Sequence, residues 1–357
     1  MVSRWLWRGA ALVAALIAAS AAGALLLRAS WQAQSARELE IRTPAGIDEG
    51  AFVPIGGIEQ WVHIRGEDRA NPALLILHGG PGGSLSALVA LFRDWEKHFT
   101  VVQWDQRGSG KTFTRNGAAG QGELSIERMT QDGIEVVEHL RERLGQPKIL
   151  IVGLSWGTVL GAQMAKRRPD LLRAYVGTGQ VVDKDEKEKR IYADLIAKAR
   201  EAGDAEALAA LEAIGTPPFR SYDDLLIHRK WSLRYDVASE RELESKLRPL
   251  VLASPFHSLL DIRSLLVAPR FAGRRTHEEM NRYDARELGT RFDLPIFLIT
   301  GDADAVTPAD LAKSWFDDLD APVKEFVLLP SGGHAALLSM PDVFLRELLA
   351  RVRPRIG

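Results

Sequence analysis

Two side chains in this 357-residue chain, Ser155 and His334, together with an acid at Asp302 or Asp304, have the types and order to carry out covalent chemistry on a carbonyl. Ser155 is the centre of Gly153-Leu154-Ser155-Trp156-Gly157, a G-x-S-x-G pentapeptide directly after the apolar run Lys148-Ile149-Leu150-Ile151-Val152. That run predicts a buried strand and Thr158 to Arg168 predicts the following helix, so the pentapeptide must turn the chain sharply between them. A serine there stands exposed at the carboxyl end of its strand, with the helix N-terminus directed at any charge that develops beside it. A lone serine hydroxyl is a poor nucleophile at neutral pH and needs a histidine base, itself oriented by an acid. Of the eight histidines, His334 alone sits in a glycine-bracketed loop, Ser331-Gly332-Gly333-His334, just after a late strand-like run, Val323 to Leu329. The acid belongs to Gly301-Asp302-Ala303-Asp304, after the run Pro295 to Thr300. Asp302 follows the glycine and can hold the turn, whereas Asp304 sits one step further out, where a side chain can reach the histidine.

Acyl transfer passes through a tetrahedral oxyanion, which two backbone N–H donors can hold. His78-Gly79-Gly80-Pro81-Gly82-Gly83, after the strand-like run Ala73 to Leu77, lets the main chain approach that closely. The amide of Gly80 is the expected first donor and that of Trp156 the second; Pro81 has no N–H and stiffens the loop.

The motifs His78-Gly79-Gly80-Pro81-Gly82, Trp104-Asp105-Gln106-Arg107-Gly108-Ser109-Gly110-Lys111 and Gly153-Leu154-Ser155-Trp156-Gly157 together resemble the proline iminopeptidase branch of the α/β-hydrolases. The resemblance runs from about Gly56 to Gln180 and again from Leu294 to the end. It implies a serine peptidase that removes an N-terminal residue, proline in the type case, from short peptides. It carries over Ser155, Asp304 and His334 as the triad and the amides of Gly80 and Trp156 as the oxyanion hole. Asp105 and Arg107 fall in the W-D-Q-R-G stretch, where a structural role in pinning the turn is expected. Members of the branch meet the substrate α-amine with acids of an inserted cap, one commonly in a Trp-Glu pair. Here the middle region departs from the pattern, because its one tryptophan, Trp231, precedes Ser232-Leu233-Arg234. Asp183, Glu186 and Glu188 are the acids placed to enter the site from above, with Trp231 as a further substrate contact, although the alternating charges of Asp183 to Arg190 also suit a solvated helix face.

Composition narrows the alternatives. With 46 basic and 47 acidic residues the net charge is -1, which gives no support to a nucleic-acid partner. The absence of cysteine excludes disulfides and thiol catalysis. No H-E-x-x-H, P-loop or strand-borne G-x-G-x-x-G supports a metal or nucleotide cofactor. A serine at 155 disfavours dehalogenase and epoxide hydrolase chemistry, which uses a carboxylate nucleophile. A carboxylesterase or related hydrolase on the same scaffold stays open, as does a membrane-attached binding protein with a retired site. The oligomeric state is not legible.

The elements that must position these residues follow an α/β rhythm. Strands are expected at Gln60 to Ile64, Ala73 to Leu77, Thr100 to Trp104, Lys148 to Val152, Ala174 to Thr178, Pro295 to Thr300 and Val323 to Leu329, with helical periodicity between most of them, as in Asp132 to Leu144. Such alternation implies an α/β-hydrolase fold, a mostly parallel sheet with helices on both faces, whose catalytic loops gather at the carboxyl edge. The expected division is a core of 51–182 and 291–357, a helical cap over 183–290 that closes over Ser155, a connection over 30–50 and an N-terminal segment over 1–29. From Gly9 to Leu27 no charged residue occurs, and Trp5 and Trp7 stand at the near end as interfacial anchors would. A helix of those 19 residues extends roughly 28 Å, enough to cross a bilayer. The expectation is an uncleaved transmembrane anchor with the catalytic domain outside the cytoplasm; the alternative is a signal peptide whose cleavage leaves a secreted or periplasmic protein. The expected partners are a small-molecule or short-peptide substrate and the membrane.

Overall fold

The structure, a computed structural model, describes residues 2–235 and 237–356, leaving out the side chains of 2–6, 233 and 237–241. Among the described residues, one sheet holds β1 (Ile47–Ile55), β2 (Ile58–Gly66), β3 (Ala73–Leu77), β4 (Thr100–Asp105), β5 (Ile149–Leu154), β6 (Leu172–Thr178), β7 (Ile296–Gly301) and β8 (Lys324–Leu329). Their spatial order is β1-β2-β4-β3-β5-β6-β7-β8. β2 runs antiparallel to both its neighbours, and all the other pairs beyond β1 are parallel. The helices are α1 (Val2–Glu38), α2 (Gly110–Asn116), α3 (Ile126–Leu144), α4 (Trp156–Arg167), α5 (Lys184–Glu201), α6 (Ala205–Ile214), α7 (Tyr222–Tyr235), α8 (Val237–Ala253), α9 (Leu259–Asn281), α10 (Ala309–Asp318), α11 (Ala336–Ser339) and α12 (Pro341–Glu347).

The central strands read as unbroken apolar runs because both faces are covered. In β3, Leu75 and Leu77 enter the core layer under α3 and α4, while Leu74 and Ile76 enter the layer on the opposite face. β5 and β7 alternate in the same way, with Ile151 and Leu298 on one side and Val152 and Phe297 on the other. Helix limits follow local chemistry. Ser125 caps α3 by accepting the Arg128 N–H at 3.1 Å, and Gly145 ends it in the left-handed conformation at φ 65°.

The helices α5 to α9 form one insertion between β6 and β7, in the interval where the helical cap is expected. Asp204 caps α6 by accepting the Ala207 N–H at 3.0 Å, as its position before an alanine-leucine run predicts. The insertion has its own apolar cluster, built from residues such as Leu195, Leu211, Phe219 and Trp231.

Two elements differ from the sequence expectation. β1 starts within the segment read as a connection, 30–50, and runs on into the span read as core, where no strand was expected before Gln60. Gly50 and Pro54 weaken its strand signature, and an edge position tolerates both. Gly56 and Gly57, at φ 55° and 79°, close the two-residue hairpin to β2. α1 is longer than its apolar span and continues to Glu38, because residues 30–38 are helix formers tied by pairs such as Gln34 Nε2 to Glu38 Oε1 at 2.9 Å. The apolar part is exposed, with Trp7 and Leu26 at 77% and 73%. The side chain of Trp5 lies outside the described residues.

The distal part of α1 is fastened to the insertion. Arg28 donates to the carbonyl of His257 at 2.6 Å, and Gln32 donates to that of Ser254 at 2.8 Å. The His257 ring lies between Ser254 Oγ and Ser86 Oγ, 3.0 Å from each, and Ser86 Oγ donates to Asp105. Burial pushes the His257 imidazole from 6.5 down to about 4. Between those values the unfolded chain takes up a proton that the folded chain refuses, so stability falls as pH drops through that window. Urea midpoints measured between about pH 7 and about pH 4.5 are expected to decline with acid, and His257→Gln is expected to flatten the decline.

Candidate active site

β5 ends at Leu154, α4 begins at Trp156, and Ser155 makes the whole turn at φ 53° and ψ -117°. A non-glycine residue with positive φ is strained and persists only where its surroundings over-determine it. Here the flanking glycines do so. A Cβ on Gly153 would lie 2.7 Å from the Gly157 carbonyl oxygen, and one on Gly157 would collide with the carbonyl of Leu77. The strand, the turn and the start of α4 are thus packed backbone to backbone against the end of β3.

The loop after β3 lies beside this turn. A Cβ on Gly79 would meet the Leu154 carbonyl oxygen at 3.3 Å and Ser155 Cβ at 3.4 Å. The buried His78 ring fixes the loop. Its Nε2 accepts the Gln106 N–H at 3.2 Å, so its Nδ1 carries the hydrogen and donates to the Gly79 carbonyl at 2.8 Å. Burial lowers the His78 pKa, which keeps this ring neutral. Gln106 joins the two sides. Its Nε2 donates to the His78 carbonyl at 3.2 Å, and its Oε1 accepts the Trp156 indole N–H at 2.9 Å. As the first residue of α4, Trp156 has a main-chain N–H with no acceptor inside its own helix.

Of the two candidate acids, Asp304 reaches His334 and the exposed Asp302 does not. His334 Nδ1 lies 3.0 Å from Asp304 Oδ2 and 3.1 Å from Oδ1. Thr307 donates its hydroxyl and its N–H to the same carboxylate at 2.6 and 2.7 Å, and Val306 N–H donates at 2.9 Å. Burial works to raise the Asp304 pKa, but His334 and these bonds outweigh it and hold the carboxyl below its ordinary value. The Ser155 N–H donates to the Thr178 carbonyl at 3.0 Å, and a Cβ on the next residue, Gly179, would come within 2.9 Å of His334 Cε1. The end of β6 therefore carries both the serine turn and the histidine ring. Among the described residues no hydrogen bond joins Ser155 Oγ to His334; such bonds commonly tighten only with substrate present.

Asp105 and Arg107 brace the neighbouring turn. Asp105 accepts the Ser84 hydroxyl at 2.6 Å and the Lys111 N–H at 2.7 Å. Arg107 pairs with the buried Asp132 at 2.9 Å and donates to the Gly56 carbonyl at 2.8 Å.

The residues expected to touch substrate from the insertion separate. Glu186 is half exposed and faces Arg286 at 3.8 Å, and Trp231 is buried in the insertion's apolar cluster. Only Glu188 reaches His334, across a cavity of about 130 Å³ that both line with Lys187, His228 and Arg229. Glu188 is buried and bonded to Lys184, and it lies 2.8 Å from Lys187 Nζ and 3.2 Å from His228 Nδ1. Burial pushes its pKa up, but the charges of Lys187 and Lys184, with His228 and Arg229, hold it well below the usual range. Burial pushes Lys184 down to about 7. On its other side His334 borders a groove of about 420 Å³ lined by apolar side chains such as Leu91, Leu247, Leu250 and Leu338. Gln106 was visible in sequence only as a letter of a motif; Thr307 and Arg229 had no sequence signal, because their contacts are set by the fold.

The α/β hydrolase fold family matches residues 72–341. A Bacillus subtilis (strain 168) protein named "Probable aminopeptidase YbaC" is 30% identical over 304 residues, 84% of this chain and 94% of that one. A Streptomyces coelicolor protein named "Probable proline iminopeptidase" is 33% identical over 120 residues, 33% of this chain and 36% of that one. Among solved structures, a membrane phospholipase A shares the fold with a TM-score of 0.62 at 18% identity, over 96% of this chain and 97% of that one.

The Gln106 bridge gives a direct test of how the two loops are held. Gln106→Leu leaves the buried Trp156 indole N–H and the His78 carbonyl without their partner and is expected to lower the unfolding free energy by about 1–3 kcal/mol in urea titrations.

Proposed function

The chain belongs to the α/β-hydrolase family, in its proline iminopeptidase-like branch, and on that premise we propose that it is a serine hydrolase acting through an acyl-enzyme, an aminopeptidase that releases N-terminal residues from short peptides. The observation that carries this reading is the hydrogen bond of His334 to the buried Asp304 beside a serine held at φ 53° on a strand-to-helix turn. In the proposed mechanism His334 Nε2 takes the proton of Ser155 Oγ as that oxygen attacks the substrate carbonyl. Asp304 holds the ring with hydrogen on Nδ1 and stabilises the imidazolium. The amides of Gly80 and Trp156 hold the oxyanion, whose collapse expels the leaving group with the proton from His334. Water, deprotonated by His334, then releases the acid and restores the serine.

The aminopeptidase reading is supported by the relative of that name that the chain matches over 94% of its length. Ester hydrolysis is the second reading, and one observation favours it: Glu188, the acid brought to the His334 cavity, is already the counter-ion of Lys184 and Lys187. The exposed apolar part of α1 is long enough to cross a membrane. A membrane anchor, with the catalytic part outside the cytoplasm, is the corresponding proposal for its location; signal cleavage is the alternative.

Purified enzyme offered a prolyl arylamide, its N-blocked counterpart and short aryl esters separates these readings. The aminopeptidase reading expects turnover of the free arylamide, none of the blocked one, and a loss of several orders of magnitude in Ser155→Ala. Ester turnover without arylamide cleavage would replace it with the esterase reading.

A further inference from the structure

The cavity beside His334 is charged in a way that an aminopeptidase's amine pocket would not be. Two cationic side chains that line it, Lys187 and Arg229, stand against a single lining carboxylate, Glu188, which also bonds Lys184, whose amine burial pushes down to about 7. The two lysines bind that carboxylate directly, whereas Arg229, half-buried on α7, makes no hydrogen bond or ion pair among the described residues. Arg229 lines the His334 cavity and also the smaller cavity that Gly80 and Pro81 border, so it lies between the oxyanion loop and the histidine. Beside it His228 is 1% exposed, and its Nε2 has no hydrogen-bond partner among the described residues. A buried polar atom without a partner costs free energy that a ligand can return. An excess of positive charge repels an ammonium and attracts a carboxylate, which an arginine fork binds in bidentate fashion.

The cavity opens on His334, and the histidine of an acyl-transfer site delivers its proton to the leaving group. A group held there belongs to the leaving half of the substrate. We propose that this hydrolase takes substrates whose leaving group carries a free carboxylate, received by Arg229 and His228, so that short peptides are recognised from their carboxyl end. The inference rests on the serine hydrolase reading of the same site and adds the chemical class of its leaving group.

The test compares matched pairs differing only in that charge. One pair is prolyl-alanine and prolyl-alaninamide; the other is the butyryl ester of 4-hydroxybenzoate and that of 4-hydroxybenzamide. The acid member is expected to show a kcat/KM about tenfold to a hundredfold above its neutral partner in whichever pair the enzyme cleaves. Arg229→Met is expected to bring that ratio close to one, and Arg229→Lys to retain part of it, with fluorophosphonate labelling of Ser155 reporting that each variant keeps its site. A ratio near one in the unaltered enzyme, or a ratio that survives in a labelled Arg229→Met, overturns the proposal and leaves the hydrolase reading standing. Turnover of neither pair, with Ser155 unlabelled, instead removes the hydrolase reading on which it rests.

Discussion

The carbonyl of Leu77 lies where a Cβ on residue 157 would have to go, and much of the site follows from that contact. Because position 157 is glycine, α4 can start against the end of β3, with Ser155 forced into its positive-φ turn between β5 and the helix. The same approach brings the loop of Gly79 and Gly80 against Ser155 Cβ, and the carbonyl of Thr178 in β6 takes up the serine N–H at 3.0 Å. Three neighbouring parallel strands therefore meet at one point. The sheet order β3-β5-β6 is what allows their ends to meet there.

Polar ties hold the loops at that point to each other rather than to solvent. His78 and Gln106 link the loop after β3, the turn after β4 and the indole of Trp156. Asp304 is held on the other side of the site by Thr307 and Val306 before it meets His334. A carboxylate with three donors already in place keeps its charge and its direction, as a residue that orients an imidazole must. The chain of contacts continues outward through Asp105, Ser86 and His257 to Arg28 and Gln32 of α1, so the apolar N-terminal helix is fastened to the same framework.

The central strands were legible because burial on two faces leaves an unbroken apolar run bounded by glycine, and the loops at their ends carry motifs whose glycines are required by close approach. The positions of Ser155 and His334 could be read from those loops, and the choice of Asp304 needed the family pattern. β1 was hidden by a glycine and a proline that only an edge strand accepts, and the tail of α1 by its polar composition. The insertion was legible as helices but not as a site. Glu186, Glu188 and Trp231 lie on α5 and α7, and which of them faces His334 depends on how those helices pack, which their own sequence does not encode. The same holds for Arg229, an ordinary charged residue in sequence that lines both the cavity at His334 and the one bordered by Gly80 and Pro81, with no hydrogen bond or ion pair among the described residues.

Catalysis through an acyl-enzyme requires that Ser155 become acylated. Mixing the enzyme with an aryl ester or arylamide that it turns over, quenching in acid and mapping the peptides by mass spectrometry tests it directly. The acyl mass is expected on the peptide containing Ser155, with its accumulation abolished in His334→Ala. Turnover with no acyl mass on Ser155, or with that mass on another residue, would contradict it.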